Sequence, residues 1–370
     1  MIYKDIYKRN EILSFRIGKL SRMIAVLLSF MFILTACGGT VETDESSVKS
    51  GSDHLLIGMS IDSFLIERWQ RDCDVFLSKV KELDSDAEVN VQNANGDIET
   101  QKSQIRYLIE KGADVLVIVS IDSDGLGEVM EEAKKAGIPV IAYDRLINNS
   151  NVNLYISFDN EMVGTLMGEA LVNSGLKNKK VLMLSGPTED SNVAMVEAGF
   201  THVMDNNNVS IIECFHTTGW KAEEASEYIG RHITELGDVD AIMCGNDNIA
   251  TTIIRTLSEA RLAGKIKIVG QDADLEACQR VVEGTQVMTV YKPVEKLAQK
   301  AAEYAIKLGK SRREGKVTKL TDIENTISDG TYNVPYFYID PIAVTKDNID
   351  ETIIASGFHS RDEVYLNVSD

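Results

Sequence analysis

An α/β fold of two similar lobes, each built on a parallel sheet, is predicted by three observations on this 370-residue chain. Near-continuous apolar runs of strand length alternate with amphipathic stretches of helix length. That alternation runs through the chain twice. Polar residues follow the carboxyl end of one strand after another.

The apolar runs are LLIGMSI (55–61), VLVIVS (115–120), VIAY (140–143), VLMLS (181–185), AIMCG (241–245) and IKIVG (266–270). Between most of them lie helix-periodic stretches such as Glu67 to Leu83, Glu99 to Lys111 and Asp124 to Ala136. Strands apolar at nearly every position are buried on both faces, which parallel sheets achieve by covering both sides with helices. GADVLVIVS followed by IPVIAYD in the first half is echoed by DVDAIMCGND followed by IKIVGQD in the second. About 320 residues follow position 53, more than one hydrophobic core usually holds. Two Rossmann-like lobes account for both facts.

Ahead of the lobes, an apolar run from Ile24 ends in Leu34-Thr-Ala-Cys37, with Lys19 and Arg22 before it. A basic region, a short apolar segment, small residues and a cysteine are the pattern of a lipoprotein signal peptide, expected over 1–36, with lipid attachment at Cys37. The run is shorter than the roughly 20 apolar residues that span a bilayer. Met1 and Met23 both remain possible starts. Residues 37–53 lack periodicity and read as a flexible tether.

The net charge of −19 includes a basic leader, so the remainder is more acidic still. Nucleic acid and anionic lipid surfaces are therefore not expected as partners. Cys73, Cys214, Cys244 and Cys278 fall inside apolar patterns without C-x-x-C spacing and read as inert buried thiols. The five histidines show no H-E-x-x-H spacing, so no metal site is expected. Gly309-Lys310-Ser311 resembles the end of a P-loop, but the required glycine five residues earlier is Tyr304. With no G-x-G-x-x-G after the first strand and no G-x-S-x-G elbow, neither a cofactor nor a catalytic residue is expected.

The strand ends carry the functional signal. LLIGMSI runs into Asp62, VIAY into Asp144 and Arg145, VLMLSGP into Glu189, Asp190 and Asn192, AIMCG into Asn246 and Asp247, and IKIVG into Gln271 and Asp272. Ligands of open parallel sheets bind outside the carboxyl ends of the strands. Helix capping explains any one of these residues equally well. It does not explain Arg145, Trp69 and Trp220.

IERWQRD (66–72), VQNANGD (91–97), IPVIAYDRLI (138–147), LYISFDNEMVG (154–164), GQDADLEA (270–277) and GTQVMTVYKPV (284–294) resemble the periplasmic binding proteins of the ribose and xylose type. The resemblance implies lobes joined by three crossings: 54–158 plus 291–323, and 159–290 plus 324–370. It implies sugar contacts at Arg68, Trp69, Arg145, Asp190, Asn192, Trp220, Asn246, Asp272 and Lys292. Asp190-Ser191-Asn192 and Gly245-Asn246-Asp247 depart from the family's Asp-Asn-Asn and Ser-Asn-Asp, although the contacting positions survive.

These residue types suit a sugar. Indole rings cover the C–H face of a pyranose, while carboxylates, cations and amides meet its hydroxyl rim. The function this implies is non-enzymatic capture of a monosaccharide, D-xylose first, for the permease of an ABC importer. A receptor subunit signalling to a membrane sensor kinase or chemoreceptor would have the same site. A glycosidase would need a carboxylate pair spaced for acid and base roles. A repressor of related fold is disfavoured, since a leader stands where a helix-turn-helix would be.

Overall fold

The computed structural model describes residues 54–64, 67–317 and 319–368; the expected signal peptide, Cys37 and the tether lie outside them. The first lobe begins β1 (Leu56–Ile61), α1 (Glu67–Leu83), β2 (Glu88–Asn93), α2 (Ile98–Glu110), β3 (Val115–Ile118), α3 (Gly127–Lys135), β4 (Val140–Tyr143) and β5 (Leu154–Phe158). The second follows with α4 (Asn160–Asn173), β6 (Lys180–Ser185), α5 (Ser191–Asn206), β7 (Ser210–His216), α6 (Ala222–His232), β8 (Ala241–Cys244), α7 (Asp247–Glu259), β9 (Lys267–Gln271), α8 (Leu275–Glu283) and β10 (Met288–Tyr291).

Two sheets result, as the repeated alternation predicts. The chain returns to the first lobe with α9 (Val294–Arg313), β11 (Thr326–Ser328) and β12 (Asn333–Ile339) and crosses last into β13 (Ile342–Val344). The first sheet has the order β11-β12-β5-β4-β3-β1-β2 and the second β13-β10-β9-β8-β6-β7. All pairings are parallel except β11 with β12 and β10 with β13.

The chain crosses between the sheets three times: after Phe158, after Tyr291, and between Ile339 and Ile342. The last crossing corrects the expected boundary at 323/324. Tyr336 pairs with Tyr155 and Ile339 with Phe158, so residues 333–339 complete the first sheet. Their alternating pattern gave no sign of which sheet would accept them.

Central strands β1, β3, β4 and β5 are buried almost throughout because apolar clusters lie on both faces of the sheet. The edge strands β2 and β7 are half exposed and correspondingly polar. That exposure corrects one expectation: Cys73, Cys244 and Cys278 are buried, but Cys214 on edge strand β7 is exposed.

The second lobe is held together by an unusually close pair of helices, α4 and α5. A Cβ on Gly164 would lie 1.8 Å from the Val196 carbonyl oxygen, and one on Gly199 would lie 1.9 Å from that of Glu161. Only hydrogen side chains allow this approach. Gly164→Ala must separate the helices, at a cost of about 3 kcal/mol, the upper end for overpacking; urea unfolding is expected to show the lowered midpoint with an unchanged slope.

Candidate functional site

Strand ends and helix starts of both lobes deliver polar and aromatic side chains to one cavity. The first turn of α1 supplies Arg68 and Trp69, and the end of β4 supplies Asp144 and Arg145. Opposite them stand Asn160 at the start of α4, Ser185 at the end of β6 with Gly186 after it, Asp190 and Asn192 at the start of α5, and Trp220. Gly245 and Asn246 follow β8, Gln271 and Asp272 close β9, and Lys292 follows β10 at the middle crossing. With Val193, Val196 and Met243 they enclose about 510 Å³, counting open space at the mouth. That lies toward the small end of small-molecule sites.

All nine residues named from the sequence therefore line one cavity. Capping and cavity lining turn out to be compatible. Asp190 caps α5 by accepting from the Asn192 N–H at 3.0 Å, and Asn246 caps α7 through Ile249 at 2.9 Å. Trp69 likewise has two roles: it is only 2 % exposed and joins the core beneath the first sheet while reaching the cavity. Its charged neighbours Arg68 and Asp72 do not prevent this, because they are themselves buried beside it as an ion pair. Asn160, Ser185, Gln271 and Asp144 were not assigned from the sequence, although Asp144 and Gln271 stand at strand ends and Asn160 within LYISFDNEMVG.

Arg145 joins the lobes. Its Nη1 donates to Asp62 Oδ2 at 2.8 Å and to the Ser120 carbonyl at 2.9 Å, both in the first lobe. Its Nε stands 2.7 Å from Asp190 Oδ2 of the second, a charge contact outside hydrogen-bond alignment. Asp190 Oδ2 also accepts from the Trp220 indole at 3.1 Å. Asn192 accepts from Tyr155 and Asn160 and donates to Asp144 Oδ1 at 2.9 Å. Ser191, where the chain departs from the family pattern, accepts from the Leu146 N–H at 2.9 Å and so adds another bridge.

A second charge cluster lies in the first lobe. Arg68 Nη2 donates to Asp144 Oδ2 at 2.7 Å and to Asp72 Oδ1 at 3.2 Å, with its guanidinium 4.3 Å from the Trp69 ring centroid. Burial pushes the Asp144 carboxyl up, but Arg68, Lys292 and Arg145 together outweigh it and hold its pKa below the ordinary range. Burial opposes the Arg145 charge, yet Asp190 and Asp62 prevail and raise its pKa. Lys292 Nζ bonds Gln271 Oε1 at 3.0 Å and lies 2.6 Å from Asp272 Oδ1.

Three cations and three carboxylates thus face the cavity, with Asp62 and Asp72 behind them. Such a wall suits a neutral, hydroxylated ligand and repels an anionic one. Arg68 Nε, Trp69 Nε1, Arg145 Nε and Asp272 Oδ1 are buried without an aligned hydrogen-bond partner among the described residues. Buried polar atoms without partners are costly, so their clustering at one cavity marks a binding surface. Asp144, Trp220 and Asp272 also adopt positive φ of 67°, 64° and 100°, strain of about 1–3 kcal/mol each that concentrates at functional sites. Trp220 reaches its position because Gly186 beneath it has no side chain; a Cβ there would come within 2.4 Å of the ring.

Two α/β lobes, a polar cavity between them and three connecting segments define a two-lobed binding protein that encloses a small ligand. The chain belongs to the periplasmic binding proteins: residues 57–312 match the family described as the periplasmic binding protein domain. It is 42 % identical to the D-xylose-binding periplasmic protein of Haemophilus influenzae, covering 86 % of this chain and 95 % of that one. It is 40 % identical to the D-xylose-binding periplasmic protein of Escherichia coli, covering 90 % and 98 %. Among solved structures it resembles an ABC transporter solute-binding protein of Clostridium phytofermentans with bound β-D-glucose, with TM-score 0.73 and 28 % identity over 84 % of this chain and 99 % of that one. The family consists of binding proteins for transport rather than enzymes, and it is extracytoplasmic.

Asp144 contributes to the acid limb of stability. Folding lowers its pKa, so its ion pair contributes fully above the unfolded value of about 3.9 and is lost as pH falls through the folded one. Asp144→Asn removes that contribution. Denaturation between pH 5 and pH 2.5 is expected to show the wild type losing more stability than the variant.

Proposed function

We propose that this chain is a lipid-anchored receptor that captures D-xylose by closing its lobes and hands the sugar to an ABC permease. The observation that carries the reading is the balanced wall of three cations and three carboxylates between two indoles. The relatives named for D-xylose, at 42 % and 40 % identity over most of the chain, support the choice of sugar.

The chemistry follows from the partners already in place. Trp69 and Trp220 lay aromatic faces on the apolar C–H surfaces of the ring. Arg68, Arg145 and Lys292 donate to hydroxyls, Asp144, Asp190 and Asp272 accept, and Asn192 and Asn246 do both. Hydrogen bonds to charged groups contribute about 1.5–3 kcal/mol each, so ionised side chains serve even an uncharged ligand. Since both lobes contribute, the sugar binds the closed arrangement better than any open one and draws the protein toward it.

The chain has only two tryptophans, both at the cavity, so sugar must alter the entire tryptophan emission. Calorimetry with xylose, ribose and glucose is expected to give the tightest binding for xylose, with an emission change saturating at the same stoichiometry. Trp220→Ala is expected to cost about 1–3 kcal/mol of affinity, through loss of an aromatic face and its buried area. Binding of xylose with both indoles unaffected in emission and quencher access would remove them from the site.

Anchoring rests on the Leu34-Thr-Ala-Cys37 pattern, which lies outside the described residues. No helix among the described residues is long and apolar enough to cross a membrane. Mass spectrometry of membrane-extracted protein is expected to find a lipid-modified N-terminal Cys37, and Cys37→Ser to release the protein into the soluble fraction. An unmodified residue 37 on membrane-extracted protein contradicts the anchor.

A further inference from the structure

Cys214 and His216 are two residues apart on β7, and the period of a strand puts them on one face. Helix α5 packs beside that strand and brings Glu197 to the same place. Cys214 Sγ lies 3.6 Å from Glu197 Oε1 and 3.8 Å from His216 Nε2, which is itself 2.8 Å from the same Glu197 oxygen. The three donor atoms thus form a closed triangle, and none of the three residues lines the sugar cavity.

We propose that Glu197, Cys214 and His216 form a site for a zinc-class divalent cation at edge strand β7 of the second lobe. Thiolate, imidazole and carboxylate are the donor types that zinc takes. Its tetrahedral bond lengths place such donors about 3.3–3.6 Å apart. Two sides of the triangle already have nearly that length. The third, now a hydrogen bond, has to open by about half an ångström. Exposure of Cys214 leaves an open path and a fourth position for water.

The charges balance. The thiol is pushed up to about 11, first by partial burial and then by the Glu197 carboxylate, so without a cation it carries its proton. On binding, the S–H bond breaks, the proton passes to solvent and the electron pair forms the metal–sulfur bond. One thiolate and one carboxylate then neutralise a divalent ion beside a neutral imidazole. The same carboxylate that opposes the thiolate in the metal-free protein becomes its co-ligand.

Cobalt(II) tests this on the full chain. Titration is expected to produce a near-ultraviolet thiolate-to-cobalt band and visible bands of tetrahedral intensity, saturating at one ion per chain and displaced by zinc. Because Cys37 and three buried cysteines are present too, the informative quantity is the difference from variants: Cys214→Ser abolishes the thiolate band. His216→Ala and Glu197→Gln each weaken zinc, measured by competition with a chromophoric chelator, by about tenfold or more, since even outer-shell losses cost that much. Xylose binding in each variant verifies its fold. A missing thiolate band, or one retained in well-folded Cys214→Ser, overturns the site, as does zinc affinity unchanged in both other variants.

Discussion

The contact on which the site depends is that of Arg145 with carboxylates from both lobes. A guanidinium removed from water is tolerable only if anions and hydrogen-bond acceptors surround it. Asp62 and the Ser120 carbonyl provide this from the first lobe, and Asp190 from the second. Asp190 in turn fixes the Trp220 indole and the first turn of α5. One cation therefore determines where an aromatic wall, a helix terminus and a lobe interface meet.

The Arg145 approach to Asp190 is close but misaligned, and Lys292 stands in the same relation to Asp272. Coulombic attraction is satisfied in both pairs while directional bonding capacity remains. That combination suits a receptor, because charges held by their partners need little rearrangement to meet hydroxyl groups. The positive φ values at Asp144, Trp220 and Asp272 belong to the same design: backbone strain in each lobe aims side chains that relaxed turns would direct elsewhere.

Much of this was legible in the sequence. Continuous apolar runs such as VLVI and VIAY identify strands buried on both faces, and the polar residues after them mark the carboxyl edge where a ligand sits. Edge strands were harder to read. EVNVQN and SIIECFH carry polar residues because one side faces water, and that same exposure left Cys214 uncovered. The placement of Asn333–Ile339 depends on a pairing across about half the chain, Tyr336 with Tyr155, which no local pattern encodes. Asn160 and Ser185 are small polar residues whose role depends wholly on what stands opposite. Trp69 shows the limit of reading by neighbours, since the charged Arg68 and Asp72 beside it are buried with it as an ion pair.

The pairing of β12 with β5 also sets an order of events. A chain growing from its amino end completes β1 to β5 early, yet the outer side of β5 stays unpaired until residues 333–339 have been made. An unpaired strand edge is a template for wrong partners, and a sheet closed by so distant a segment forms slowly. The first lobe therefore reaches its final form only after residues 333–339 have been made. Until then one sheet lacks its closing strands, and a chain in that condition is more easily unravelled than one whose sheets are complete.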